Sequence, residues 1–371
     1  MKFGAMLMPS HPPEQSIRDG QRRDLEELER LDRLGFEEAW IGEHFTASWE
    51  PCPAPDLLIA QALMRTKRIN LGPLGHLLPY HNPVELAHRI AYLDHLAEGR
   101  YKFGVGVSAL PSDHELFGLD PVPGVNRRMS FESLEIMTSL WTSGPTEIHG
   151  EFWKTGRPKE SLPWLGYHLK PYQHPHPPIA IAGLTPDSKN LMLAGRKGYI
   201  PVSFCISPDA RIIARHWEAV EQGAVETALA ADRGQWRIIR DVYVARTDDE
   251  ARERALGGMM GTCWREFLLP LYLALGLGPL LKTDPRMADE DITLEYLAQN
   301  LWIVGSVKTV SEKIMALYDE TGGFGYLIMM SYDAGDEEVF WERNLSLLIN
   351  HVLPACSSAE ITRRNRIGAR L

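Results

Sequence analysis

Short apolar runs alternate with amphipathic segments along this chain, and that alternation restricts its fold more than any other feature. KFGAMLM (2–8), FEEAWIGE (36–43), 69–74 and 101–107 read as strands, each bounded by turn or helix signals. Between the first two, Leu25, Leu28, Leu31 and Leu34 recur at helical spacing among Asp, Glu and Arg, and Gly35 follows where a C-terminal cap belongs. Helices are expected over 56–66, 84–96 and 128–141. The rhythm returns with IAIAG (179–183), a helix to Gly195, YIPVSF (199–204), a helix over 209–230 and RIIRDVYVAR (237–246). A helix beginning near Asp248, the helix of SVKTVSEKIMALYDETGG, the strand FGYLIMMS and a closing helix to Val352 complete the series. Parallel neighbours need crossover connections, so strands separated by helices belong to one parallel sheet. Eight strand candidates of this kind are closed most economically as an α/β fold, the (β/α)8 or TIM barrel.

Two stretches interrupt the pattern. Within 143–178, EIHGEFWK resembles a hairpin and prolines from Pro158 to Pro178 mark an excursion; 265–300, with LGLGPLLKTDP inside, reads as a second insertion. The expectation is one domain over 1–353 and a loosely ordered tail over 354–371. An open doubly wound sheet is the competing arrangement. It would want a Gly-rich phosphate turn after the first strand; MLMPSHPPEQS offers none, and FGVGVSA (103–109) lacks the third glycine of a dinucleotide fingerprint.

Among 371 residues, 44% are hydrophobic and 24% charged, the balance of an ordinary globular protein with a large core. A net charge of −10 without any basic cluster argues against nucleic acid or an anionic membrane surface as partner. Neither a secretory signal nor a membrane-length apolar run is present, so a cytoplasmic protein is expected. The four cysteines lie far apart without zinc-ligand spacing, which points to reduced thiols.

Strand C-termini face the catalytic mouth of such a barrel. Met8, His11 and Ser203 are thereby candidates for a substrate pocket. His44, directly after AWIG, should project into the mouth, where a neutral imidazole moves protons near pH 7. Position alone leaves a satisfied structural histidine as the default. LGPLGHLLPYHNP carries His76 and His81, but no carboxylate is helically paired with them, so no metal is expected. Gly75 permits close approach by a flat ligand or an unusual backbone; simple loop packing is the plain alternative. AGLTPDSKNLMLAGRKG places Gly183, Leu184, Thr185 and Ser188 between a strand end and a helix start, which suits an anion or an ordinary N-cap. Arg127 and Arg128 could lend countercharge. Of ten tryptophans most must be core, whereas Trp49 and Trp164 lie in proline-rich loops as possible pocket walls. Without a G-x-S-x-G elbow or a lysine at a strand end, hydrolase and aldolase readings lose ground.

Six stretches occur together in a recognisable order: MKFG, Glu43–His44, LGPLGHLLPYHNPVELA, LDHLAEGRYKFGVG, HELFGLDP and VGSVKTVSEKI. In this order and spacing the chain resembles the bacterial luciferase-like flavin monooxygenase superfamily from Met1 to about Leu353. WIGEHF, EFW (151–153) and LKPYQHPHPPIAIAG are most similar to its limonene and diketocamphane monooxygenase-like branch.

The resemblance implies a TIM barrel that binds reduced FMN delivered by a separate flavin reductase. It implies reaction with O2 through a C4a-peroxyflavin and oxygenation of an apolar cyclic or terpenoid-sized substrate by hydroxylation, epoxidation or Baeyer–Villiger insertion. His44 matches the catalytic histidine. Leu74–Gly75, with His76 beside it, matches a position where relatives often hold a non-prolyl cis peptide behind the flavin ring. Gly106 matches a small residue near the reacting flavin carbon, and 183–188 matches the phosphate loop. Val107 stands where luciferase carries arginine, which leaves the phosphate to Gly183, Leu184, Thr185, Ser188 and Arg127 or Arg128. A homodimer through the early barrel helices is implied as well. A deazaflavin (F420)-dependent oxidoreductase and a flavin-binding protein without turnover are the alternative readings; His44 speaks against the latter.

Overall fold

The structure, a computed structural model, describes residues 1–119, 122–159, 162 and 164–368, with side chains through residue 360. Its barrel strands are β1 (Lys2–Leu7), β2 (Glu38–Ile41), β3 (Asn70–Pro73, resuming as His76–Leu77), β4 (Phe103–Gly106), β5 (Ile179–Gly183), β6 (Ile200–Phe204), β7 (Arg237–Arg240) and β8 (Tyr326–Ser331). All pair in parallel. β1 lies between β2 and β8, and β8 continues through β7, β6 and β5 to β4. The first half of β3 pairs with β2 and the second half with β4, so β3 closes the barrel by changing partners midway. The eight-stranded TIM barrel expected from the alternation is what forms.

Eight helices follow the strands: α1 (Ile17–Leu34), α2 (Pro55–Arg65), α3 (Pro83–Ala97), α4 (Val125–Ser143), α5 (Lys189–Lys197), α6 (Ala210–Glu226), α7 (Val307–Thr321) and α8 (Glu338–Leu347). Their starts obey capping chemistry. Ser16, Asn82, Ser188, Asp209 and Ser306 each accept a first-turn N–H through a side-chain oxygen. Gly35 ends α1 at φ 94°, a left-handed position that favours glycine. On α1 the leucine stripe expected from sequence buries Leu25, Leu28 and Leu31 against the barrel.

At the N-terminal end of the barrel, Glu38 receives the guanidinium of Arg237 at 3.1 Å and also pairs with Lys102. Burial raises the carboxyl pKa, but the two cations outweigh it and hold Glu38 at about 2. Arg237 in turn lies 3.7 Å over the Tyr326 ring.

Several expectations are corrected. The run 237–246 is not one strand: it leaves the barrel after Arg240, and Val242–Ala245 pairs with Ile303–Ser306, a strand the alternation does not reveal, in a separate two-stranded sheet. The Ile303 N–H bonds to the Asp241 carbonyl at the break. The insertion over 265–300 is built largely of helical turns, beginning with a π-helical turn at Trp264–Leu268 that continues into Leu269–Ala274. Leu353–Gly368 is helical, with Cys356 fully buried and Glu360 taking the N-terminal ammonium at 2.6 Å. The hairpin in the first insertion is present as Ile148–His149 against Lys154–Thr155. No helix among the described residues is long and apolar enough to cross a membrane.

Candidate active site

Beyond β2, Glu43 and His44 turn in opposite directions, as neighbours on an extended chain do. Glu43 goes inward. Its Oε1 meets His81 Nε2 at 2.7 Å, and its Oε2 meets His76 Nδ1 at 3.2 Å and accepts the Leu77 N–H at 2.7 Å. Although burial raises a carboxyl pKa, these partners hold Glu43 down at about 2. Glu43, His76 and His81 offer ligand atoms within 4.8 Å of one another, but the carboxylate is already committed to two rings and a backbone donor. It anchors β2 to β3 and so aims the next residue.

That residue, His44, keeps 21% of its side chain exposed, and its Nδ1 lies 2.6 Å from Glu50 Oε2 in an ion pair that is not aligned as a linear hydrogen bond. Glu50 is buried and accepts the Ser10 hydroxyl at 3.3 Å. Burial disfavours the imidazolium, but the Glu50 charge, reinforced by Asp113 and Glu43, prevails and raises the His44 pKa. The loop carrying both groups is held at each end: the His44 N–H bonds to the Cys52 carbonyl, and the His11 N–H to the Trp49 carbonyl.

Around the histidine, Thr46 donates to Asp113 at 2.5 Å, fastening the loop to the short helix Pro111–Leu116. Phe45, Tyr80 and Phe117 form an aromatic cluster with centroid separations of 4.3 to 5.5 Å. The Tyr80 and Ser108 hydroxyls meet at 2.7 Å, and Asn126 donates to the carbonyls of Val107 and Ser108. Trp49 stacks on Phe267 from the second insertion, 6.2 Å between centroids and within 10° of parallel.

On the neighbouring strands the Leu74–Gly75 peptide is cis, at the position the resemblance implies. Gly75 lies against the backbone of β4: a methyl group there would come within 2.4 Å of the Val105 carbonyl carbon. One on Gly106 would meet Leu77 at 2.7 Å. After β5, Gly183 sits so close to α5 that a side chain would strike the Ser188 hydroxyl. Ser188 caps α5 by accepting the Leu191 N–H, Thr185 remains exposed, and the first N–H groups of the helix have no intrahelical acceptor. Leu184 packs against the core in the same turn. The two arginines part company. Arg127 Nε donates to Asn190 Oδ1 in the first turn of α5, and Asn190 donates to the Ala182 carbonyl, so Arg127 stands beside this loop. Arg128 instead pairs with Glu151 of the hairpin at 3.0 Å.

Other sequence candidates lie elsewhere. His11 has both ring nitrogens engaged, by Asp333 at 2.8 Å and Asp24 at 3.1 Å, which makes it a tie between α1 and the loop after β8. Ser203 is fully buried and accepts the Trp236 indole N–H at 2.8 Å; that ring packs on Trp217 of α6, so strand alternation turns Ser203 into the barrel–helix layer. His76 is likewise withdrawn into the Glu43 network. Trp164 is 77% exposed. Met8 packs against the turn at Gly42 that leads to His44. Sequence reasoning missed Glu50, Asp113, Asn126 and Asn190. Only Glu50 had a legible signal, a carboxylate in the same short loop as His44.

Comparison with known proteins agrees with this architecture. The luciferase-like monooxygenase family model matches residues 1–323. The 3,6-diketocamphane 1,6-monooxygenase of Pseudomonas putida is 32% identical over 95% of this chain and 98% of its own length. Limonene 1,2-monooxygenase of Rhodococcus erythropolis is 30% identical over 88% of this chain and 80% of its own. The oxygenating constituent of P. putida 3,6-diketocamphane monooxygenase, a type II Baeyer–Villiger monooxygenase solved in complex with FMN, has a TM-score of 0.88 at 32% identity over 95% of this chain and 98% of that one. An F420-dependent secondary alcohol dehydrogenase, 17% identical with a TM-score of 0.68 over 96% of this chain and 98% of that one, shares the fold alone. By sequence and by structure, the chain belongs to the luciferase-like monooxygenase family.

Proposed function

We propose that the protein is the oxygenating component of a two-component, FMN-dependent monooxygenase acting on an apolar cyclic or terpenoid-sized molecule. The observation that carries this reading is that the C-terminal ends of the strands hold both the His44–Glu50 pair, after β2, and the Gly183–Ser188 turn with Arg127 beside it, after β5. The residues fit the phosphate of FMN: the α5 N-terminus, the exposed Thr185 and Arg127 meet at one turn. Reduced FMN, when bound, supplies the electrons with which dioxygen is activated. His44 holds and delivers a proton at the reacting centre, while Trp49, Phe267 and the Phe45–Tyr80–Phe117 cluster exclude water from it.

The diketocamphane relatives favour Baeyer–Villiger insertion into a compact ketone over hydroxylation or epoxidation. A separate reductase provides the reduced flavin. A homodimer is supported by apolar residues left exposed on α2 and α3, Leu57, Met64, Tyr92 and Leu96, and a cytoplasmic setting by the reduced cysteines.

The test mixes purified protein anaerobically with reduced FMN, then with oxygen and a panel of cyclic ketones and alkenes. Expected are micromolar binding, a transient near-ultraviolet absorbance and an oxygenated product. Failure to bind FMN, with binding of F420 instead, overturns the reading in favour of the deazaflavin alternative; binding without turnover overturns it in favour of a flavin carrier.

A further inference from the structure

We infer that Glu50 is a positioning residue that keeps His44 as an imidazolium, so that the ring meets its reaction partner through Nε2 as a proton donor rather than as a base. The inference deepens the function proposed above and rests on it only for what the donated proton accomplishes.

The geometry leaves Glu50 little else to do. Its side chain is 3% exposed, with one oxygen on the Ser10 hydroxyl and the other 2.6 Å from His44 Nδ1. A buried carboxylate without a countercharge is costly, and His44 meets it. The loop cannot swing Glu50 into water, because the Glu50 N–H bonds to the Ala47 carbonyl, the His44 N–H to the Cys52 carbonyl, and the preceding residue, Trp49, is stacked under Phe267.

Three carboxylates favour the charged form of the His44 ring. Glu50 comes from its own loop, Asp113 from the helix Pro111–Leu116 and Glu43 from the end of β2. On the far side of Glu50 stand Ser10, after β1, and the buried Cys263, from the segment that leads into the second insertion. With Nδ1 against Glu50, Nε2 is the nitrogen left for chemistry. When it donates, the N–H bond breaks, a bond to the acceptor oxygen forms, and the ring becomes neutral imidazole. Its partly exposed edge then takes a proton back from water, and no other reactant is required.

The experiment is a histidine-labelled NMR titration of the full chain without flavin or substrate, with the His44 signal assigned by its loss in His44→Gln. The expected His44 midpoint lies above 6.5, the ordinary value. It should fall by at least ~1 pH unit in Glu50→Gln and be partly restored in Glu50→Asp. A wild-type midpoint at or below 6.5, or one unmoved in folded Glu50→Gln, overturns the inference. Should Glu50→Gln fail to fold, the wild-type midpoint still decides it. Because no cofactor takes part, a protein that titrates as expected but binds no FMN refutes the proposed function and leaves the pair intact.

Discussion

His44 Nδ1 stands 2.6 Å from Glu50 Oε2, six positions along the same loop, and only the histidine of the pair reaches open space. The acid is sealed below and the base is displayed above. Removing the displayed partner should therefore affect chemistry more than binding. In His44→Ala we expect oxygenated product to fall by about 10²- to 10⁴-fold, with FMN affinity within roughly twofold of wild type by fluorescence titration. An equal loss in FMN affinity would assign His44 to binding.

The separation of Arg127 from Arg128 gives a paired test. Arg127 stands beside the α5 N-terminus through Asn190, whereas Arg128 is engaged by Glu151. Arg127→Ala should weaken FMN binding about tenfold, the scale of one charge-assisted contact. Arg128→Ala should leave it unchanged. Calorimetric titration of both variants decides whether one arginine or neither serves the phosphate.

Stability should fall between about pH 6.5 and 9 because of His11. Burial works against its charge, but Asp24 and Asp333 raise its pKa to about 9. Asp333, also bound by Arg23 and the Gly335 N–H, is held low, whereas burial pushes Asp24 up, so Asp333 is the stronger partner. A histidine whose pKa is raised on folding contributes fully below its unfolded value and loses that contribution as pH rises through the folded one. Unfolding free energies from urea titrations should drop across this window by on the order of 2 kcal/mol. His11→Gln should be less stable at pH 6 and show a flatter profile.

Glu38→Gln should destabilise the barrel by about 3 to 5 kcal/mol, since it strands Arg237 and Lys102 without their carboxylate. Because Glu38 sits at the end opposite the mouth, FMN affinity at temperatures where the variant is folded should not change. Thermal unfolding and flavin titration on the same sample check both halves.

Charge placed on the exposed apolar face of α2 and α3 should break the proposed dimer. Met64 and Tyr92 are each 74% exposed. Met64→Asp with Tyr92→Asp should shift the mass measured by light scattering to that of one chain. A wild type already monomeric at micromolar concentration removes the dimer from the proposal.

The barrel was legible because its signals are local. Each strand is a short apolar run, each helix a stripe such as Leu25, Leu28 and Leu31, and each boundary a cap such as Ser188 or Gly35. What escaped depends on pairing between distant segments. Ile303–Ser306 is a strand only because Val242–Ala245 leaves the barrel to meet it. In the site, His44 could be placed by counting from a strand end, but His11 and Ser203 could not. Their neighbours Asp333 and Trp236, 322 and 33 residues away, decide which way they face. Arg127 and Arg128 are indistinguishable as a dipeptide and are told apart by Asn190 and Glu151.

Trp49 lies directly before Glu50 and is stacked beneath Phe267, which belongs to the second insertion. The second insertion and the acid beneath the histidine are thus joined through one indole ring. A change at Phe267 that moves the indole should shift the carboxylate and change the acidity of the imidazole, so alterations in this insertion should be read out in the pH profile of His44.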